Sequence, residues 1–368
     1  LFRSRAQWVS RYASQSFTNA AQVLKHFDLS RSVGDATVVM EPVGVAALFA
    51  PWNSTAGTIC SKLASAIAAG CASVIKPSEL SPLQTTVLAQ ALHRAELPKG
   101  VFNILLGRGS DVGDEISASP LIAKVSFTGS TATGKLIARA GIETMKRVSL
   151  SLTGKSASII LDDADLDIAI PLALNAAFMN NGQACVAGTR LLVPRTHAED
   201  IINRVKSLVG AMVVGNPQDP ATALGPLVNR AQFDRVQAFI RRGQAQGATL
   251  IIGGEGRPTG LDKGYFVRPT VFADVSSDMD IAQEEIFGPV LSIIAYDSQE
   301  QAITIANASI YGLQAYVFTR QLERAQRLAT QLQAGSVLIN RISPELLAPF
   351  GGVKQSGVGR EFGVFGLE

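Results

Sequence analysis

The chain has 368 residues, 47% of them hydrophobic, which is enough for a large core and for two domains. Charged residues make up 17%, the formal net charge is +3, and basic residues form no blocks. This balance excludes a field strong enough to indicate a nucleic-acid partner or a membrane surface. The sequence also has no apolar run of transmembrane length and no signal-peptide pattern at its start.

The 3 cysteines are an odd number without paired spacing, which is typical of a reduced, cytoplasmic protein rather than of a disulfide framework. Cys60 and Cys71 lie in an apolar, alanine-rich region, and we expect both in the core. The 3 histidines, at positions 26, 93 and 197, are widely scattered. Neither a zinc site nor a Ser-His-Asp arrangement is therefore predicted, and no metal ligand is assigned.

Residues 1–35 are predicted to be a partial helical segment of the first domain, because Leu1 to Arg11 already has the pattern of a helix interior. Residues 36–42 are predicted as a strand outside the first sheet. From Val43 onward, apolar strand-like segments alternate with helical patterns, which indicates an open parallel sheet with helices on both faces. The predicted strands are 43–51, 72–76, 101–106, 123–127 and 146–152, and the predicted helices are 58–69, 81–95, 111–117 and 130–140.

A second α/β block follows, so the predicted fold class is α/β with two domains. The first domain is placed at 43–152, the second at 153–348, and a C-terminal return segment at 349–368. A glycine-rich stretch at 253–264 is predicted to be an exposed loop. The other predicted elements are strands at 157–161, 190–194, 291–296, 315–318 and 336–340, and helices at 166–180 and 198–213.

Cys185 closes the run Asn-Gly-Gln-Ala-Cys at 181–185, where small and amide-bearing residues surround the thiol. A buried structural cysteine usually sits among apolar residues instead. A reactive cysteine needs such a polar, partly open setting, because only the thiolate is nucleophilic. The segment 178–190 resembles the active-site cysteine segment of the aldehyde dehydrogenase superfamily, and Cys185 is accordingly predicted to be a nucleophile.

Pro-Trp-Asn at 51–53 follows the first strand and resembles a second segment of the same family. The resemblance implies that the Asn53 amide helps the backbone N–H of Cys185 to hold a developing oxyanion. A preorganised neutral donor of this kind stabilises a tetrahedral intermediate by about 3 kcal/mol. Trp52 is carried over as a cofactor-binding residue. Taken alone, this tripeptide would indicate only an ordinary turn.

Lys-Pro-Ser-Glu at 76–79 ends the next strand, where ligands bind in open α/β sheets. In the family, the lysine and glutamate reach the adenosine ribose, so Lys76, Ser78 and Glu79 are carried over as cofactor-binding residues. An acidic side chain there disfavours a 2′-phosphate, which favours NAD over NADP. A salt-bridged loop is the alternative interpretation of this segment.

Gly129 and Ser130 end a strand and open a helix, whose N-terminal N–H groups suit a pyrophosphate. The glycines between 107 and 113 have the wrong spacing for a dinucleotide fingerprint and are interpreted as a turn. The segment 284–290 resembles the family segment in which the second glutamate contacts the nicotinamide ribose and an aromatic ring borders the nicotinamide. By this resemblance, Glu285, Phe287 and Leu152 are assigned to the cofactor. A glycine-rich stretch at 349–361 completes six family-like segments in the family's order.

Ser151 breaks the family pattern, because the family usually has a general-base glutamate at this place. The neighbours Leu152, Gly154 and Lys155 keep the register, so the alignment has not slipped. A hydroxyl cannot accept a proton at pH 7, and general-base assistance is worth about 10²–10⁴-fold, so hydrolysis of a thioacyl-enzyme should be slow. Ser151 is interpreted as an engineered replacement, as a natural residue of an enzyme that acylates coenzyme A, or as a sign of a non-catalytic role. We favour the first, because the other cofactor and oxyanion positions are intact.

The resemblance implies an aldehyde dehydrogenase-like fold, with a Rossmann-like NAD-binding domain, a catalytic domain and a small oligomerisation strand. It implies oxidation of an aldehyde to a carboxylate through a thiohemiacetal and a thioacyl-enzyme on Cys185. The alternatives are a CoA-acylating enzyme and a non-catalytic nucleotide-binding relative. Homodimers or homotetramers are expected through residues 36–42, although the chain ends before the family's usual final strand. The identity of the aldehyde does not follow from the sequence.

Overall fold

The structure, a computed structural model, describes residues 2–368, with side chains from Gln7 onward; Leu1, the first residue of the predicted helical segment, lies outside them. The described chain divides into two compact units. The N-terminal unit comprises Gln7–Leu152, Glu345–Gly351 and Gly357–Glu368. The central unit comprises Thr153–Pro344 and Gly352–Ser356, together with the first residues of the chain.

Up to residue 152, helices and strands alternate after an N-terminal helix and a small hairpin. The helices are α1 (Phe2–Lys25), α2 (Thr55–Ala68), α3 (Pro82–Arg94), α4 (Asp114–Ala118) and α5 (Thr131–Ile142). The strands are β1 (Ser30–Val33), β2 (Ala36–Val39), β3 (Val45–Phe49), β4 (Ala72–Lys76), β5 (Phe102–Ile104), β6 (Lys124–Thr128) and β7 (Arg147–Ser151).

The remaining elements continue the alternation and end with two short strands. The strands are β8 (Ala157–Ile160), β9 (Arg190–Pro194), β10 (Thr249–Ile252), β11 (Thr270–Ala273), β12 (Val290–Tyr296), β13 (Tyr311–Gly312), β14 (Gln314–Phe318), β15 (Ser336–Ile339), β16 (Val353–Lys354) and β17 (Gly357–Val358). The helices are α6 (Leu166–Phe178), α7 (Ala198–Gly210), α8 (Arg230–Ala245), α9 (Asp280–Gln283), α10 (Gln299–Asn307) and α11 (Leu322–Ala329).

The N-terminal unit is built on a sheet of order β17-β7-β6-β3-β4-β5, in which β3 to β7 run parallel and β17 is antiparallel. Alternate residues of β3 enter different cores, because successive side chains of a strand point to opposite faces. Leu48 packs with Ile59 of α2 in one core, and Phe49 packs with Ile137 of α5 in the other. Both faces are therefore covered by helices, as predicted.

The central unit has a seven-stranded sheet of order β10-β11-β12-β9-β8-β14-β15, parallel except for the edge strand β10. Its two faces are again buried, since Leu191 joins the core under α6 and α7 while Leu192 joins the core under α11. The α/β fold class therefore agrees with the sequence prediction.

Several predicted boundaries are wrong. Residues 30–33, assigned to the helical segment, form β1, which pairs with β2 in a hairpin whose turn contains Gly34 at φ +58°. The helix predicted to reach 180 ends at Phe178, because the residues that follow enter the left-handed region. The prediction also contains no element between 214 and 248, where α8 lies.

The C-terminal segment of the N-terminal unit is tied to α2 by an ion pair. Lys62 has a side chain that is only 1% exposed, and its Nζ lies 2.6 Å from the Glu361 carboxylate. Nζ also donates to the Ser126 hydroxyl at 2.7 Å. Burying an ammonium group costs free energy unless a counter-charge pairs with it. With Lys62 at this position, the stability of the fold therefore depends on Glu361.

Replacing Glu361 by Gln should lower the free energy of unfolding by about 3 kcal/mol, because the buried ammonium loses its counter-charge. The double replacement Lys62→Met/Glu361→Gln should recover most of that loss. Urea denaturation measures both. As a control, Asp297→Asn breaks the exposed Arg195–Asp297 pair of the central unit and should have a much smaller effect. Equal losses in Glu361→Gln and Asp297→Asn would contradict this interpretation.

Candidate active site

In the N-terminal unit, the predicted site residues lie at one edge of the sheet. Trp52 and Asn53 form a 3₁₀ turn directly after β3, and both are half-buried. The segment from Lys76 follows β4, Gly129 follows β6, and Ser151 ends β7. The carboxyl ends of parallel strands share one edge, so the structure brings these residues to the side where open α/β sheets bind ligands.

Lys76 and Glu79 form an ion pair at this edge. Lys76 is buried, its Nζ lies 3.7 Å from the Glu79 carboxylate, and it donates to the Pro77 carbonyl at 3.2 Å. Glu79 is exposed, with 51% of its side chain accessible. The Ser78 hydroxyl accepts from the backbone N–H of Leu80 at 3.2 Å. The salt-bridged loop that the sequence left as an alternative is therefore present, and its carboxylate faces solvent.

The segment 129–134 is a helix N-terminus packed closely on β7. The Ser130 hydroxyl accepts from the Thr133 N–H at 3.2 Å, so Ser130 is the N-cap of α5. A Cβ at Gly134 would lie 3.0 Å from Leu152 Cδ1, so the missing side chain lets the helix approach the sheet. The Leu152 side chain is consequently buried in the core. A ligand would therefore contact Leu152 through its backbone.

Ser151 is buried, with 3% of its surface exposed, and its hydroxyl has no hydrogen-bond partner among the described residues. Thr128, its register partner on β6, also has a buried hydroxyl without a partner. Buried polar atoms are normally hydrogen-bonded, so two such hydroxyls at the carboxyl edge mark a place suited to a polar ligand or water. The Ser151 carbonyl accepts from the Gly129 N–H at 3.1 Å.

In the central unit, the predicted residues lie at the opposite kind of edge, the amino ends of parallel strands. Cys185 precedes β9, and the segment carrying Glu285 and Phe287 precedes β12; Lys155, which was not among the predicted site residues, precedes β8. Cys185 is a half-buried, reduced thiol in a turn that Ala187 N–H closes on the Ala184 carbonyl at 3.0 Å. Its location is therefore partly open, as a nucleophile requires.

The backbone before Cys185 is held in an uncommon conformation. Asn180 and Asn181 have φ of 52° and 59°, and Gly182 follows at 72°. Asn181 is buried; its amide donates to the Pro226 carbonyl at 3.0 Å and its oxygen accepts from Gly225 N–H at 2.9 Å. These two bonds attach the strained segment to a neighbouring loop, which stabilises a backbone conformation that asparagine tolerates better than most residues.

Gly154 brings three segments of the central unit together. A Cβ at this position would overlap the carbonyl oxygen of Cys185 and would lie 3.2 Å from Leu313 Cβ. The Gly154 N–H donates to the Glu285 carboxylate at 3.2 Å. A Cβ at Gly182 would likewise overlap the backbone of Gly288. The segment that carries Cys185 and the segment that carries Glu285 are thus in contact through glycines.

Glu285 and Lys155 have strongly perturbed acidities. Burial raises the pKa of the Glu285 carboxyl to about 7, opposed by the Gly154 N–H and by Lys155. Burial and the guanidinium of Arg190 lower the pKa of the Lys155 ammonium to about 7, opposed by Glu285. Lys155 is 2% exposed, and its Nζ has no hydrogen-bond partner among the described residues.

Phe287 lies beside Glu285 with φ of 62°, a conformation rare for an aromatic residue. The Gln232 amide fixes this segment, donating to the Phe287 carbonyl at 2.7 Å and to the Ile286 carbonyl at 3.0 Å. The sequence interpretation assigned no role to Gln232 or to the titration of Lys155. No signal in the sequence marks the titration of Lys155, because it depends on burial and on Arg190 and Glu285, which are far away in the chain.

Within the described residues, no group of three or more histidine, cysteine, aspartate or glutamate side chains is placed to hold a metal ion. Among residues 2–368, no helix has both the length and the apolar character that crossing a membrane requires.

The depressed pKa of Lys155 predicts a pH-dependent penalty. The pKa is 10.5 when the lysine is unperturbed and about 7 in the folded chain, so the unfolded chain binds more protons between these values. The free energy of unfolding should therefore rise with pH between these two values. Below both values it is lowered by the full cost of burying the charged ammonium. Replacing Lys155 by Met should raise the melting temperature more at pH 6 than at pH 9. Thermal denaturation measures this, with exposed Lys206→Met as the control; an equal gain at both pH values would contradict the prediction.

The sequence of the chain matches the family described as the aldehyde dehydrogenase family over residues 3–368. It is 47% identical to a 3-succinoylsemialdehyde-pyridine dehydrogenase of a Pseudomonas species, over 96% of this chain and 74% of the relative. It is 46% identical, with the same coverage, to a putative aldehyde dehydrogenase of Staphylococcus saprophyticus.

Solved structures agree in fold. An aldehyde dehydrogenase C variant from Pseudomonas syringae, solved with NAD⁺ and octanal, matches 97% of this chain and 74% of its own, with a TM-score of 0.95 and 46% identity. An aldehyde dehydrogenase from Bacillus cereus, solved with NAD⁺, matches 97% of this chain and 73% of its own, with a TM-score of 0.93 and 40% identity. From its family match and these relatives, the chain belongs to the aldehyde dehydrogenase family.

Proposed function

We propose that this chain oxidises an aldehyde with NAD, that Cys185 is the nucleophile, and that the reaction is slow in releasing the acyl group because of Ser151. The observation that carries the proposal is the half-buried thiol of Cys185, held in a strained, doubly anchored segment that touches the segment of Glu285 through glycines. Family membership supports the reaction class.

The residues of the N-terminal unit fit NAD. The helix N-terminus at Ser130 and the buried hydroxyls of Thr128 and Ser151 offer donors for phosphate and other polar groups. Glu79 offers an exposed carboxylate for ribose hydroxyls, and it would repel a 2′-phosphate. Trp52, Lys76 and Gly129 are assigned to the same cofactor by their place at this edge. The NAD⁺ bound to the P. syringae and B. cereus relatives supports NAD as the cofactor here.

In the central unit, Glu285 and Phe287 are assigned to the nicotinamide end of the cofactor. The ionised Glu285 carboxylate accepts hydrogen bonds from ribose hydroxyls more strongly than the neutral acid does, and its pKa of about 7 places that ionisation near neutral pH. NAD, when bound, supplies the acceptor for the hydride that the aldehyde carbon loses. The chain's own groups perform the remaining steps.

Cys185 begins the reaction. Its thiolate attacks the carbonyl carbon of the aldehyde, and the carbonyl oxygen becomes an oxyanion. We assign the stabilisation of that oxyanion to the Cys185 backbone N–H and to the amide of Asn53. After the carbon has been oxidised, Cys185 holds the acyl group as a thioester.

Release of the acyl group needs a nucleophile and a base. The Ser151 hydroxyl, buried and without a carboxylate's basicity, does not activate water at pH 7. We therefore expect the thioester to accumulate on Cys185. This single substitution also favours one second candidate, transfer of the acyl group to coenzyme A, which needs no activated water.

Mixing the chain with NAD and octanal, the aldehyde bound by the P. syringae relative, tests the proposal. We expect a burst of NADH close to one equivalent per chain, followed by slow turnover, because acylation is intact and deacylation is not. A chain that binds NAD but gives no burst would contradict the proposal. Rapid turnover that appears only when coenzyme A is added would assign acyl transfer instead of hydrolysis.

Replacing Ser151 by Glu should raise steady-state NADH production by about 10²–10⁴-fold while leaving the burst at one equivalent, because only deacylation gains a base. Stopped-flow absorbance separates the two phases. Ser151→Ala is the matched control and should behave like the unaltered chain, since the hydroxyl contributes no base. If Ser151→Glu folds and gives the NADH burst but its steady-state turnover is no faster, the absence of a base at position 151 is not the cause of slow deacylation.

Assembly is also proposed from the family resemblance. The hairpin of β1 and β2 has mostly exposed side chains, and an exposed strand edge is a template for pairing with another chain. We infer a homodimer or homotetramer formed through residues 36–42. A cytoplasmic location is proposed from the three reduced cysteines.

A further inference from the structure

Tyr316 lies in β14, directly beneath the segment that carries Cys185. It is fully buried, and its hydroxyl donates to the carbonyl oxygen of Val186 at 2.9 Å. The amide of Gln314, on the same strand, donates to the Tyr316 oxygen at 2.5 Å. The Tyr316 hydroxyl thus accepts one hydrogen bond and donates another, and the two bonds together define its position.

Val186 is the second central residue of the tight turn in which Cys185 is the first. The bond from Ala187 N–H to the Ala184 carbonyl closes this turn at 3.0 Å. The Val186 carbonyl, to which Tyr316 donates, belongs to the same peptide plane as the Ala187 N–H that closes the turn. The Ala184 carbonyl, which accepts that turn bond, shares a peptide plane with the Cys185 N–H, so the bond from Tyr316 acts on the direction of this N–H through the turn.

The ring of Tyr316 adds a steric constraint. A Cβ at Gly188 would lie 3.2 Å from two ring carbons of Tyr316, so the backbone after the turn rests on the ring. The Gly188 N–H donates to the Ala176 carbonyl at 3.2 Å, which holds it in that position. Tyr316 therefore meets this segment at two points, the Val186 carbonyl and the backbone of Gly188.

We propose that Tyr316 is a positioning residue for the nucleophile, which sets the direction of the Cys185 N–H through its bond to the Val186 carbonyl and the turn that the Ala187 N–H closes. This inference rests on the proposed function of Cys185 and deepens it. A preorganised donor is effective only when it points to the place where the oxyanion forms, and a displacement of 1 Å costs about 100-fold in rate.

Replacing Tyr316 by Phe keeps the ring and removes the hydroxyl. We expect the limiting rate of the NADH burst at saturating octanal to fall by about 10–100-fold, because the oxyanion donor is misaligned. The octanal concentration at half-saturation should stay unchanged. Alkylation of Cys185 by iodoacetamide should also keep its rate, since that reaction needs a thiolate but no oxyanion donor.

Tyr296→Phe is the matched control, because the Tyr296 hydroxyl is also buried in the central unit and donates to a backbone carbonyl, that of Ile160, at 2.8 Å. Its loss should lower stability like the loss of the Tyr316 hydroxyl but leave the burst rate intact. Equal burst rates in the two variants would overturn the inference. So would faster alkylation in Tyr316→Phe, which would indicate a loosened segment. No burst in the unaltered chain would instead contradict the proposed function, and this inference with it.

Discussion

The arrangement of the central unit depends on the absence of a side chain at Gly154. Any Cβ there would overlap the carbonyl of Cys185, and the same residue's N–H holds the Glu285 carboxylate at 3.2 Å. One backbone position therefore sets how closely the segment of Cys185 and the segment of Glu285 approach β8. The positive φ values before Cys185 are consistent with this constraint, because a strained segment persists only when its surroundings over-determine it.

Burial gives this arrangement its chemistry. Desolvation moves the pKa of Glu285 and that of Lys155 toward 7 from opposite directions, so two groups in the same unit titrate near neutral pH. Perturbed groups of this kind cluster at functional sites. In the N-terminal unit the corresponding feature is neutral: buried hydroxyls of Thr128 and Ser151 lack partners at the carboxyl edge of the sheet. A carboxylate at position 151 would instead have given this edge of the sheet a negative charge.

The alternation of strands and helices from Val43 could be predicted from the sequence, because strands buried on both faces appear as continuous apolar runs. Helix α8 was missed although Phe233, Val236 and Ile240 mark its buried face, since arginine and glutamine dominate the rest of it. The family-like segments predicted Cys185 and Glu285 as site residues. The roles of Lys155 and Tyr316 could not be predicted, because the burial of one and the hydrogen bond of the other depend on segments far away in the chain.

The central claim is that Cys185 accepts an acyl group and, in a chain with serine at position 151, keeps it. Intact-mass measurement after incubation with octanal and NAD tests this most directly, followed by peptide mapping of the modified site. The account predicts one octanoyl group per chain, located on Cys185, persisting for longer than in the Ser151→Glu variant and absent from Cys185→Ala. An unmodified chain that has nevertheless produced NADH, or an acyl group on Cys60 or Cys71, would contradict it.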